Sequence, residues 1–256
     1  MGKKAYGKKK KHLRLVEEQA LKHEVQARQA GPSKKRWSEH DMKSVRPITK
    51  TQEEMHQCYY QGSHICGFGS AGTGKTYVAT SLAIRDVIRK DTVHDKLIFV
   101  RSNVATRDVG FLPGSLDEKM EVFETPYRDI LGDLFGRATT YDDMKAAGIV
   151  HFMPTSFIRG LTWDDAIVIV DEAQNLTMHE INSIMTRLGE NSRVILVGDC
   201  VQTDLRKNKS EVTGFDTAIK IFDAMKSFSV ISFTQDDIVR GGTVKEWITT
   251  YDRFTQ

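Results

Sequence analysis

The amino-acid sequence predicts an α/β fold: a parallel sheet with helices on both faces, built around a phosphate-binding loop and preceded by a basic arm. Three observations predict it. From Ile65 onward the apolar runs are short and nearly continuous, the pattern of strands buried on both faces. Helical spacing separates most of these runs, and strands alternating with helices imply right-handed crossovers within one parallel sheet. Residues Gly69-Ser70-Ala71-Gly72-Thr73-Gly74-Lys75-Thr76 match G-x-x-x-x-G-K-[ST] in full, directly after an apolar run and directly before a helical pattern.

Taken in order, residues 1–46 read as a flexible arm. Residues 1–50 hold 15 Lys and Arg against 5 Asp and Glu, a balance of +10 in a chain whose net charge is only +3, so the remainder is acidic. The clusters Lys3-Lys4, Lys8-Lys9-Lys10-Lys11 and Lys34-Lys35-Arg36-Trp37 flank a charged stretch that Gly31-Pro32 stops, and its apolar residues are too sparse for a core-facing stripe. Tyr6 and Trp37 stand beside these clusters as candidate stacking groups for bases.

Residues 47–256 form the expected globular domain, and 39% hydrophobic content provides for a substantial core. Strands are expected at 65–68, 97–100, 166–170, 194–197 and 230–233. Ile181, Ile184, Met185 and Leu188 fall at i, i+3, i+4 and i+7 after Thr177, and Tyr127, Ile130, Leu131 and Leu134 repeat that helical spacing. No run approaches the roughly 18 apolar residues that a membrane span needs. Three cysteines, Cys58, Cys66 and Cys200, show no C-x-x-C spacing, so a cytoplasmic protein without a zinc site is expected.

The phosphate loop carries the first chemistry. Glycines at 69, 72 and 74 allow positive φ and close backbone approach, so that the amides of residues 69–76 face an anion. Lys75 neutralises β and γ oxygens, Thr76 ligates Mg²⁺, and the helix opening at Gly74 adds its positive end. Asp171-Glu172 end the apolar run 166–170 at the carboxyl edge of the sheet, where ligands of such sheets bind. Asp171 is placed to join the Mg²⁺ shell and Glu172 to polarise a water for attack on the γ-phosphate. Another strand ends at Gly198-Asp199, and Gln202 beyond it is the candidate γ-phosphate sensor, because a neutral amide meets water and phosphate without repulsion. Gln52, upstream of the loop, could read the adenine edge through two hydrogen bonds and so favour ATP.

The set Thr51-Gln52, residues 69–76, Val109-Gly110-Phe111-Leu112-Pro113-Gly114, Phe157-Ile158-Arg159-Gly160, Asp171-Glu172-Ala173-Gln174-Asn175, Gly198-Asp199 with Gln202 and Asp204, and Asp237-Ile238-Val239-Arg240 resembles the PhoH family of phosphate-starvation-associated ATPases. The resemblance spans residues 47–256. It implies a RecA-like ATPase core related to helicase motors, ATP and Mg²⁺ as ligands, single-stranded RNA or DNA as partner, and a homo-oligomer, with a hexameric ring as one arrangement. It also implies that Arg240 acts as an arginine finger on the nucleotide of a neighbouring subunit. Leu161 and Gly241-Gly242 depart from the family pattern after Arg159-Gly160 and after Arg240.

Two other readings compete with an ATP hydrolase coupled to nucleic acid. A thymidine-kinase-like nucleoside kinase shares a phosphate loop and an Asp-Glu-Ala-Gln string, but its cysteine-pair zinc lasso cannot be built from Cys200 alone. A nucleotide-dependent nucleic-acid-binding protein with incidental turnover would place its working surface on the basic arm.

Overall fold

The computed structural model describes residues 37–102, 116–199 and 214–255. In chain order the elements are α1 (Lys50–Tyr60), β1 (His64–Gly69), α2 (Lys75–Ile88), β2 (Lys96–Arg101), α3 (Leu116–Phe135), α4 (Thr140–Ala146), β3 (Val150–Pro154), β4 (Ala166–Asp171), α5 (Met178–Met185), β5 (Arg193–Gly198), α6 (Gly214–Asp223), β6 (Phe228–Phe233) and α7 (Gly242–Thr255). The strands form one sheet in the order β3-β2-β4-β5-β1-β6, and every pairing is parallel. The predicted parallel α/β architecture is therefore the observed one.

The apolar runs are nearly continuous because successive side chains enter two different cores. Ile65, Leu97, Phe99, Ile167, Ile169, Ile195 and Val197 point to one face, where α1, α2, α3 and α4 cover them with Met55, Leu82, Tyr127 and Met144. Cys66, Ile98, Val100, Val168, Val170, Val194 and Leu196 point to the other, beneath Ile181, Ile184, Phe215 and Phe222 of α5 and α6. Complete burial of each such side chain contributes about 1.5–3 kcal/mol.

Helix starts follow local chemistry. Thr49 caps α1 by accepting from the Gln52 amide, and Thr177 caps α5 in a reciprocal box with Glu180. The predicted stripe on α3 is observed, with Tyr127, Leu131 and Leu134 fully buried and Ile130 packed against them. Helix α5 stops at Met185, so Leu188 reaches the same core from beyond the helix, bridging to Trp163. Strand β3 escapes sequence reading because it is an edge strand, paired only with β2 and apolar at only some positions.

The expected boundary at residue 46 needs a correction. Trp37 is 6% exposed and meets Phe135 edge-on at 5.3 Å, Met42 is buried in the same core, and the Lys43 amide donates to Leu134 O at 2.7 Å. The packed unit thus extends back to Trp37. That side chain is a core residue beneath α3 rather than an exposed stacking group; proximity to a lysine cluster in sequence did not report burial. Tyr6 and the lysine clusters before Trp37 lie outside the described residues.

Candidate nucleotide site

Strand β1 runs out at Gly69, whose φ of +126° begins the phosphate loop. A Cβ at this position would overlap the Phe233 carbonyl, because β6 lies against the loop and the Ser70 amide donates to Phe233 O at 3.0 Å. Gly72 and Gly74 have φ of +72° and +81°, left-handed values that favour glycine. Thr73, wholly buried, donates from Oγ1 to Ser70 O at 3.1 Å and fixes the turn. Lys75 Nζ lies within the loop, 2.6 Å from Ser70 O, and pairs with Asp199 Oδ1 at 2.8 Å.

The carboxyl edge of the sheet completes the site. Register opposes Arg101 to Asp171 and Phe68 to Gly198, so the ends of β1, β2, β4 and β5 meet around one pocket lined by Lys75, Thr76, Asp171, Glu172 and Asp199. Asp171 is buried and both its oxygens are engaged: Thr76 Oγ1 donates to Oδ1 at 2.9 Å and Tyr127 OH donates to Oδ2 at 3.0 Å. Glu172 adopts φ +52°, an uncommon value for a residue with a Cβ, which turns the chain at the strand tip. Burial first, and then the like charge of Asp171, hold the Glu172 carboxyl above the usual carboxylate range, while Arg101 and Gln174 act in the opposite direction.

Gln174, in sequence only one residue of the Asp171-Glu172-Ala173-Gln174-Asn175 string, has a defined task in the structure. Its Nε2 donates to Glu172 Oε2 at 2.6 Å and its Oε1 accepts from the Asp199 amide at 2.9 Å, so one buried amide joins the ends of β4 and β5. Gly198 permits this approach, since a Cβ there would lie 2.9 Å from Gln174 Oε1. Arg101, 3.8 Å from Glu172 Oε1, and Tyr127 were also missed. A strand-end arginine carries no signature of its own, and a helical period marks Tyr127 as apolar core without revealing where its hydroxyl points.

Gln52 is 3% exposed, and both ends of its amide are engaged by the chain itself. Nε2 donates to Thr73 O at 2.9 Å and Oε1 accepts from the Ile48 amide at 2.9 Å. The structure therefore makes Gln52 a brace of the phosphate loop, beside a second cleft lined by Val45, Ile48, Tyr77, Val239 and Arg240. Asp237 anchors this region. Burial works against its ionisation, yet the Thr234 amide and the hydroxyls of Thr49, Thr51 and Thr234 bring its carboxyl below the usual range. The Val239 amide donates to Gly72 O at 3.1 Å, and a Cβ on Gly72 would lie 2.9 Å from Arg240 Cγ. The aliphatic stem of Arg240 thus stands against the phosphate loop of its own chain, one residue beyond the Val239 anchor.

The donor set fits Mg²⁺ and a nucleoside triphosphate. Thr76 and Asp171 bring two hard oxygen donors to one point, the ligand type that Mg²⁺ prefers. The three left-handed glycines leave room for close backbone approach to phosphate, and Lys75 supplies the counter-charge. Arg159 is exposed and lines neither cleft, its guanidinium 3.5 Å from His179 Nε2. Gln202, Asp204, Cys200 and residues 109–114 lie outside the described residues. Among the described residues no cluster of His, Cys, Asp or Glu is arranged to hold a metal on its own, and no helix is long and apolar enough to cross a membrane.

Comparison with known proteins extends this picture. The family model described as PhoH-like protein matches residues 44–252. The chain belongs to the PhoH family. It is 37% identical over 212 residues to a PhoH-like protein of Bacillus subtilis (strain 168), covering 82% of this chain and 65% of that protein. A PhoH-like protein of Mycobacterium tuberculosis (strain ATCC 25618 / H37Rv) is 32% identical over 215 residues, covering 84% and 60%. Protein PhoH of Escherichia coli (strain K12) is 34% identical over 185 residues, covering 72% and 51%. The chain thus spans between half and two thirds of the length of these PhoH relatives. Among solved structures it resembles the Pyrococcus furiosus Hef helicase domain, with a TM-score of 0.44, 11% identity and coverage of 74% of this chain and 40% of that one. The Pif1 helicase from Candida albicans follows, with a TM-score of 0.36, 15% identity and coverage of 74% and 40%. PhoH membership and the geometry of residues 69–76 together make this a P-loop NTPase.

Proposed function

We propose that this PhoH protein binds ATP with Mg²⁺ and hydrolyses it, and that turnover is coupled to single-stranded RNA or DNA. The observation that carries the reading is the Thr76–Asp171 hydrogen bond at 2.9 Å, with Glu172 as the next residue on the strand tip. It brings a metal-binding pair, a cation and a carboxylate of raised proton affinity to one pocket.

The division of labour follows from chemistry. Mg²⁺ would supply neutralisation of phosphate charge when bound. Thr76 and Asp171 would hold the metal, while Lys75 and the amides of residues 69–76 would orient the phosphates. Glu172 accepts a proton from water as its oxygen attacks the γ-phosphorus and the bond to the β-phosphate oxygen breaks. Arg240, whose stem lies against Gly72 of the phosphate loop, neutralises charge on the transferring phosphoryl. Gln202 acts as the γ-phosphate sensor. Coupling to nucleic acid is supported by the basic balance of residues 1–50, which favours a polyanion.

The test is hydrolysis of ATP at fixed protein concentration with and without single-stranded RNA or DNA. Acceleration on addition of either strand is the expected result. Hydrolysis that neither strand changes would reduce the function to nucleotide turnover without coupling.

A further inference from the structure

Resting on the nucleotide reading above, we infer that Tyr127 is a positioning residue that holds the Asp171 carboxylate in its metal-binding orientation. Tyr127 comes from α3, outside every motif that marks the site, and its ring is wholly buried. The ring stacks on Phe99 of β2 with centroids 4.1 Å apart and planes 17° apart, and Phe152 of β3 stands 5.9 Å away. This packing aims the hydroxyl at one atom, Asp171 Oδ2, at 3.0 Å. Since Thr76 holds the other oxygen at 2.9 Å, the carboxylate is fixed at both ends and cannot turn about its Cβ–Cγ bond without breaking a hydrogen bond.

The division between the two oxygens has a consequence for the metal. A carboxylate offers about four lone-pair sites. Tyr127 engages the oxygen on the core side, so those left on Oδ1 face the pocket that Lys75, Glu172 and Asp199 line. Removing the hydroxyl leaves Oδ2 buried without its partner and frees the group to rotate away from Thr76. Hydrogen bonds behind a ligating carboxylate are worth about tenfold or more in metal affinity. The loss is confined to the metal-dependent part of binding, because Lys75 and the loop amides contact phosphate independently of Tyr127.

The experiment measures equilibrium binding of a fluorescent ATP analogue to the full chain in EDTA and across a Mg²⁺ series, for wild type, Tyr127→Phe and Phe99→Leu. Tyr127→Phe keeps the stacked ring. It should bind the analogue in EDTA as wild type does, lose about tenfold of the affinity gained with Mg²⁺, and recover most of its turnover at saturating Mg²⁺. Phe99→Leu, which loosens packing but leaves the hydroxyl, should lower the melting temperature and keep a larger part of the Mg²⁺ gain. Carbon-13 labelling of tyrosine ring carbons in the unaltered chain supplies a readout free of mutation: the Tyr127 phenol resonance should shift when Mg²⁺ joins bound nucleotide. An unchanged Mg²⁺ gain in Tyr127→Phe, an equal loss in Phe99→Leu, or a Tyr127 resonance indifferent to Mg²⁺ would overturn this inference alone. A wild-type chain with no Mg²⁺ gain would overturn the nucleotide reading and this inference with it.

Discussion

Gln174 donates to Glu172 at 2.6 Å while its other end takes the Asp199 amide, so the proposed base is oriented by a side chain that also reads the position of the neighbouring strand. Replacing Gln174 by Leu removes both contacts and leaves the Asp199 amide without its partner. Turnover should fall by up to about a hundredfold, the scale of a misplaced catalytic group, with nucleotide affinity changed far less. Steady-state kinetics with equilibrium nucleotide binding checks this split, and a loss confined to affinity would refute the orienting role.

The raised proton affinity of Glu172 sets two pH dependences of opposite sense. As a base Glu172 must be ionised, so turnover should fall on acidification at a higher pH than an ordinary carboxylate would give. For folding, the native state holds this proton where the unfolded chain has released it, so stability is present at low pH and is lost as pH rises through the raised native value. Glu172→Gln should therefore melt above wild type at neutral pH, with the difference closing in acid. Melting curves from pH 4 to 8 decide it, and a variant less stable than wild type at neutral pH would contradict the burial argument.

Trp37 and the basic residues before it should separate cleanly. Trp37→Ala should cost about 3–5 kcal/mol of stability, the range for deleting a buried aromatic, and should not weaken nucleic-acid binding in the folded fraction. Deleting residues 1–36, by contrast, should preserve melting temperature and basal hydrolysis. It should flatten the salt dependence of single-strand binding, where each neutralised phosphate contributes a log–log slope of about −0.7. Denaturant titration and salt-series binding measure the two effects.

Arg240 lies against Gly72 of its own chain, so its contribution should not require a partner. Activity per subunit should be independent of protein concentration, and mixing Arg240→Ala with Glu172→Gln should restore no hydrolysis. Recovery of activity in mixed assemblies would return the arginine to a neighbouring subunit.

Much of the fold was legible because the sheet is parallel: strands buried on both faces write unbroken apolar runs, and residues 97–100, 166–170 and 194–197 all became strands. The phosphate loop and Asp171-Glu172 were legible because their chemistry demands fixed residue types at fixed spacing. Relationships between distant side chains were not. Nothing in sequence pairs Tyr127 with Asp171 or Trp37 with Phe135, since each contact depends on how a helix is laid on the sheet. Gln52 was legible as a polar group near the loop, but its partners are backbone atoms of Thr73 and Ile48, which no residue identity announces.

If residues 69–76, Asp171 and Glu172 form one hydrolytic site, single-turnover hydrolysis of bound ATP by Glu172→Gln should reveal it. Glu172→Gln should keep wild-type affinity for ATP with Mg²⁺ and hydrolyse it more slowly by about a hundredfold or more, the scale of a positioned general base. Hydrolysis at the wild-type rate in Glu172→Gln would contradict it.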